Sequence, residues 1–326
     1  LRALMRSSPV KILKFGGSSV GSVESLRRVV SIIKGEADAC RPIVVVSALS
    51  GVTDLLESLV TEKYTEPIIS QLAERHIRMA EDLLVPRWRF GYMRAINATI
   101  DVLRYVIAQP GMENRTERIT ATGELLSAPL VSACLQQEGV VSQSVDARTI
   151  IVAHDGEVDR SETAERAGNW FSTLSRFVLP VVTGFIAGNA EGKTTLLGRG
   201  GSDYTAALLA EAIGADKLDR WTDVDGLYTA DPNREKKAGK FLFLLLEDAS
   251  TWNEASALGM HEEVFKPVLQ ACIPVHVRST RFPQGDGTLI IPSQLPGKVE
   301  ATARKQLAHA SHQVSFGPKL DRKPLN

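Results

Sequence analysis

The sequence predicts an α/β fold, a three-layer α/β/α sandwich around a mainly parallel central sheet. Three observations carry that expectation. Short β-branched apolar runs alternate along the chain with segments whose apolar residues recur three and four apart. One run, Pro42–Ala48 (PIVVVSA), is nearly continuous in apolar residues, the mark of a strand buried on both faces. Glycine-rich stretches follow strands and open helices, where parallel sheets bind ligands.

The elements follow in order. Val10–Phe15 (VKILKF) reads as the first strand and Val23–Lys34 as a helix. After Pro42–Ala48, Ser50–Val60 opens a helix with small polar residues placed to cap it. Residues 66–109 read as helical. Thr122–Gly139 (TGELLSAPLVSACLQQEG) is a further helix, stopped by Gly139. Val140–Arg148 and Phe177–Gly188 read as strands, and Ser202–Asp216 as an amphipathic helix. Lys217–Gly226, Ile273–Ser279 and Gly287–Ile291 are late strands. Residues 1–9 read as an N-terminal extension and residues 297–326 as a polar tail or linker. No repeat with a period of 20–50 residues is evident.

Composition narrows the function classes. The 326 residues include 38 Lys+Arg and 38 Asp+Glu, so the formal net charge is zero. That balance does not point to nucleic acid or to an acidic membrane surface. The apolar runs are too short or interrupted to span a bilayer, and the N-terminal segment is basic without an apolar signal core. A cytoplasmic protein is the expectation. Three widely separated cysteines, Cys40, Cys134 and Cys272, match neither a disulfide framework nor a zinc site. The six histidines show no paired ligand spacing, so no metal ligands are expected among them.

Two stretches have the chemistry of anion sites. In Val10–Val20 (VKILKFGGSSV), Lys14 ends a strand beside Gly16 and Gly17. The glycines let a backbone approach a ligand, Ser18 and Ser19 add hydroxyls, and a helix N-terminus follows. A lysine at a strand end is more often a solvated edge residue; this context favours phosphate. In Leu197–Gly214, Gly198, Gly200 and Gly201 surround Arg199, and Ser202 and Asp203 stand at the expected N-cap of a long helix. Arginine binds carboxylates and phosphates with a two-pronged fork. Gly188–Thr195 (GNAEGKTT) is one residue short of a Walker loop and runs into a strand-like segment, so it reads as a hairpin turn with Lys193 in solvent. Asp223 and Asp225 lie in Trp221–Pro232 (WTDVDGLYTADP), beyond a strand's carboxyl end.

Together KFGGSSV, VVVSALSGVTDLL, TGELLSA, VVTGFIAG, LGRGGSDYTAALLA and WTDVDGLYTADP resemble, in order, the motifs of the amino acid kinase family, and within it of the aspartokinases. The resemblance runs from about Val10 to Ile291 and implies an amino acid kinase domain over residues 10–296. Its N-terminal part would bind the amino acid and its C-terminal part the nucleotide. The implied activity is ATP- and Mg²⁺-dependent phosphorylation of the β-carboxylate of L-aspartate, in the biosynthesis of lysine, threonine and methionine. A homo-oligomer, and fusion to homoserine dehydrogenase or regulatory domains, are implied as partners. Lys14 would neutralise the transferring phosphoryl group, cradled by Gly16, Gly17 and Ser18. Ser47 and Thr53 would line the substrate side. Glu124 would pair with the α-ammonium of aspartate, and Arg199 would clamp its α-carboxylate beside Gly201 and Ser202. Asp203 would orient Lys14 or the arginine loop, and Thr222, Asp223 and Tyr228 would contact the nucleotide.

Two positions depart from the family pattern. Asn233, followed by Arg234, stands where the family usually has an arginine that touches ATP. Residues 257–277 replace a G-A-K-V-L-H-P stretch, which leaves Lys266 out of place for a nucleotide contact. No segment after Ile291 is long enough for a regulatory domain, so no inhibition by lysine or threonine within these residues is expected. Two other readings keep the fold: a kinase for another small carboxylate, and a non-catalytic ligand-binding relative.

Overall fold

The structure, a computed structural model, describes residues 8–154, 156–189, 191–229, 235, 238–251 and 261–293. Asn233, Arg234, the Ala257–Met260 part of the altered stretch and the 297–326 tail lie outside the described residues.

The strands are β1 Val10–Phe15, β2 Arg41–Val46, β3 Ser142–Val145, β4 Ala153–His154, β5 Glu157–Val158, β6 Leu179–Thr183, β7 Ile186–Gly188, β8 Thr194–Leu196, β9 Lys217–Thr222, β10 Leu227–Tyr228, β11 Lys240–Phe241, β12 Phe243–Leu245, β13 Val275–Ser279 and β14 Thr288–Ile291. Eight form one sheet in the order β12-β14-β13-β9-β1-β2-β6-β3. Six of these, from β13 to β3, run parallel; β14 is antiparallel to β13, and β12 follows β14. β1 lies in the middle because Ile12, Leu13 and Phe15 are fully buried, and a strand apolar on both faces is stable only between two layers.

The helices used below are α1 Gly17–Val20, α2 Val23–Ala37, α3 Val52–Thr61, α4 Glu66–Leu83, α5 Pro86–Ile107, α6 Arg115–Thr120, α7 Thr122–Gln137, α8 Arg160–Thr173 and α9 Gly201–Ala212. Leu13, Phe15, Val44 and Val46 pack with α2, α4, α5 and α7 on one face. Ile12, Ile43, Val45 and Leu218 pack with α9 and with the short helix Phe265–Gln270 on the other. Alternation of side chains along each strand sorts the two cores.

Three local expectations are corrected. Phe177–Gly188 is not one strand: it breaks at Gly184–Phe185 into β6 of the main sheet and β7, which pairs with β8. α9 is not amphipathic. Every residue from Gly201 to Ala210 except Tyr204 is buried, because α9 lies between the sheet, α8 and Phe265–Gln270. The small polar residues before α3 make no side-chain cap; Gly51, at φ 75°, takes the N-cap. The Asn189–Lys193 turn does form a hairpin, with Lys193 Nζ 2.7 Å from Glu113 at the surface.

Candidate active site

The parallel strands β1, β2, β6 and β9 end on one edge of the sheet. The residues just past them are Gly16, Ser47, Gly184 and Asp223, so four loops meet there. Lys14 leaves β1 on the side of Ile12, toward α9, and is buried. Its Nζ lies 2.7 Å from Asp203 Oδ1. Asp203 Oδ2 accepts a hydrogen bond from Arg220 Nε at 3.2 Å. Burial pushes the Lys14 ammonium below the usual lysine range; Asp203 opposes that shift and Arg220 adds to it. Burial alone would raise the Asp203 carboxyl, yet Arg220 and Lys14 hold it below the usual carboxylate range.

This corrects the expected N-cap. Gly200, at φ 71°, is the N-cap of α9 and no side chain caps the helix. Ser202 and Asp203 sit in its first turn, where the Asp203 carboxylate points at two cations instead of at backbone amides.

On the other side of the edge, Glu124 stands in the first turn of α7. Its Oε1 accepts the Ala48 amide at 3.0 Å, while Oε2 is buried with no hydrogen-bond partner among the described residues. Burial pushes its carboxyl up to about 8, against the pull of the Ala48 amide and of Lys14. α7 reaches the Ala48 loop because Gly123 has no side chain: a Cβ there would lie 2.7 Å from Ala48 Cβ.

The loop after β6 is tied to α9 in the same way. A Cβ on Gly184 would lie 2.5 Å from Ser202 Oγ. The next residue, Phe185, has φ 69°, a left-handed conformation rare outside glycine, and its amide donates to Thr205 Oγ1 at 3.0 Å. Strain of this kind persists where surrounding contacts enforce it, and here it turns the chain out of the sheet above Ser202.

The remaining expected residues fall around this edge. Gly17 and Ser18 begin α1; Ser47 follows β2, its amide bonded to Phe15 O at 3.1 Å; Thr53 is half-buried in the first turn of α3. Arg199 is exposed on the Gly198–Gly200 loop, four residues before Asp203. Thr222 ends β9 and Asp223 follows it, with Thr222 Oγ1 donating to Asp223 Oδ1 at 3.1 Å. Tyr228 turns its hydroxyl to Asp225 Oδ1 at 2.6 Å, which pushes the phenol up to about 12. Lys266 is exposed and pairs with Glu263 at 2.6 Å. Sequence reasoning missed Arg220 and Phe185. Arg220 is legible only once β9 is set in register beside β1, and Phe185 only as the neighbour of a glycine.

Among the histidines, the structure brings His154 near Asp159 and Glu162, with ligating atoms within 4.8 Å of one another. Both carboxylates are already engaged: Asp159 caps α8 and Glu162 pairs with Arg166. No helix of the described residues is long and apolar enough to cross a membrane.

A profile described as the amino acid kinase family matches residues 9–279. The chain belongs to the amino acid kinase family. Within this family it is 33% identical over 290 residues to the lysine-sensitive aspartokinase 3 of Escherichia coli, covering 87% of this chain and 64% of that protein. It is 29% identical over 308 residues to the chloroplastic bifunctional aspartokinase/homoserine dehydrogenase 1 of Zea mays, covering 89% of this chain and 33% of that one. The solved structure of E. coli aspartokinase III in complex with aspartate and ADP superposes with a TM-score of 0.78 at 28% identity, covering 95% of this chain and 76% of that one. The chain thus spans just under two thirds of the E. coli protein and a third of the maize protein.

Proposed function

We propose that these residues form the catalytic domain of an aspartate kinase, which transfers the γ-phosphoryl group of ATP to the β-carboxylate of L-aspartate and yields 4-phospho-L-aspartate. The domain would run over residues 10–296, with the amino acid held by its N-terminal part and the nucleotide by its C-terminal part. The reaction would open the cytoplasmic route to lysine, threonine and methionine.

The observation that carries this reading is Glu124. A buried carboxylate oxygen without a partner is costly, and a substrate ammonium is the partner it lacks. Free aspartate and glutamate carry that ammonium; acetylglutamate and UMP do not. Arg199, exposed on its glycine loop, would take the α-carboxylate in a two-pronged contact, with Gly201 and Ser202 beside it. Ser47 and Thr53 would line the same side.

The β-carboxylate is ionised at neutral pH, with an ordinary pKa of about 3.9, so the nucleophile needs no general base. The protein's work is then to bring two anions into line and screen their charge. Lys14 would neutralise the transferring group, with Gly16, Gly17 and Ser18 about it and Asp203 holding the lysine in place. Thr222, Asp223 and Tyr228 would contact the nucleotide. Both oxygens of Asp203 face cations, so Mg²⁺ fits this site as a companion of the nucleotide phosphates and not in a protein cage.

Trapping with hydroxylamine tests the product. With Mg-ATP and aspartate the expected outcome is aspartyl hydroxamate formed in step with ADP. ADP released without hydroxamate would mean that the phosphoryl group goes to water or to a hydroxyl acceptor.

A further inference from the structure

Arg220 has no role in the reading above, yet its position is exact in one respect: it is the register partner of Lys14 across β1 and β9. Residues paired in this way on adjacent strands project to the same face of the sheet. Lys14 and Arg220 are therefore two like charges side by side, with side-chain exposures of 9% and 14%. Such a pair is repulsive by itself. Asp203 answers both, with Oδ1 2.7 Å from Lys14 Nζ and Oδ2 3.2 Å from Arg220 Nε. As a stability device the trio is poor, because buried ions lose hydration that their pairing often fails to return, and apolar residues of similar volume serve as well. Its place at the carboxyl end of the central strands, at the start of the 12-residue helix α9, suits a charge kept for a ligand.

We propose that Arg220 is a positioning residue for phosphoryl transfer: it holds one oxygen of Asp203 so that the other fixes Lys14. The proposal rests on the reading of Lys14 as the cation that meets that group.

The charged groups facing Lys14 are Asp203 on α9, Arg220 on β9 and Glu124 on α7. Replacing Arg220 by methionine removes a like charge and leaves Asp203 to Lys14 alone, so the ammonium should lose its proton at higher pH. NMR titration of the full chain labelled with ¹³C at lysine Cε reads this directly, with Lys14→Met assigning the signal. The Lys14 midpoint should move up in Arg220→Met and return toward the wild-type value in Arg220→Lys. Steady-state kinetics should show kcat lowered about tenfold or more in Arg220→Met, with the aspartate KM within about twofold and partial recovery in Arg220→Lys. An unmoved Lys14 midpoint in folded Arg220→Met would overturn the proposal, as would a kcat within about twofold of wild type. The two readouts separate the failures. A shifted midpoint in a protein that does not turn over aspartate would support the positioning of Lys14 and overturn the substrate reading.

Discussion

Glu124 accepts the Ala48 amide with Oε1 at 3.0 Å and keeps Oε2 buried without a hydrogen-bond partner among the described residues. One side chain thus ties α7 to the loop after β2 and, in the proposed reading, would offer its other oxygen to the substrate ammonium. Burial raises its carboxyl to about 8, so below that pH the free protein holds it neutral. Only the carboxylate can pair with an ammonium. Aspartate affinity should therefore rise roughly tenfold per pH unit on the acid side of this value and level off above it. Calorimetric Kd values across that range check this, and a flat profile would remove Glu124 from ammonium binding.

The same shift has a stability consequence of opposite sign. The folded value of about 8 lies above the ordinary 4.5, so the contribution of Glu124 to stability is present below about 4.5 and is lost as pH rises through about 8. Glu124→Gln keeps a neutral side chain at every pH. Without substrate, it should gain Tm relative to wild type as pH is raised from about 4.5 to about 8. Parallel Tm curves for the two proteins across this range would contradict the account.

Lys14 and Arg199 should fail in different ways. Arg199 would hold an α-carboxylate that is unchanged along the reaction, so Arg199→Lys should mainly raise the aspartate KM, by roughly 10- to 150-fold. Lys14 faces charge that is redistributed during transfer, so Lys14→Ala should mainly lower kcat, by about 100-fold or more. Kinetics at saturating ATP decide this. The reverse pattern would mean that the two sites are exchanged.

Gly184 should be intolerant for a steric reason alone. A Cβ there meets Ser202 Oγ at 2.5 Å and Ser202 Cβ at 2.6 Å, in the first turn of α9. Gly184→Ala should cost about 1–3 kcal/mol, the usual range for overpacking, and should weaken aspartate binding by displacing Ser202. Denaturant unfolding with a parallel aspartate titration measures both. A variant with unchanged stability and affinity would show that the contact relaxes freely.

The central strands were legible because β1 and β2 carry apolar residues on both faces, which only a buried sheet accepts. The antiparallel turn of β14 was not, since a threonine and three apolar residues read alike in either direction. Phe177–Gly188 read as one strand because its apolar run continues through Gly184–Phe185; the break depends on φ at Phe185, and contact with α9 enforces it. The site divides similarly. Lys14 and its glycines stand next to one another in the chain. From its local pattern Asp203 read as an ordinary cap, and only the family resemblance set it beside Lys14, because its partners lie 189 residues before it and 17 after it. Arg220 lies in KLDRWT, where charged residues fall on both sides of the strand, and only pairing with β1 sets it beside Lys14.

The most direct test of the central claim is ADP release by the purified chain with Mg-ATP, measured in parallel with aspartate, glutamate, acetylglutamate and UMP. The account predicts turnover with aspartate, strongly reduced by Lys14→Ala, and none with acetylglutamate or UMP, which offer no ammonium to Glu124. Turnover with acetylglutamate or UMP in place of aspartate, or with none of the four, would contradict it.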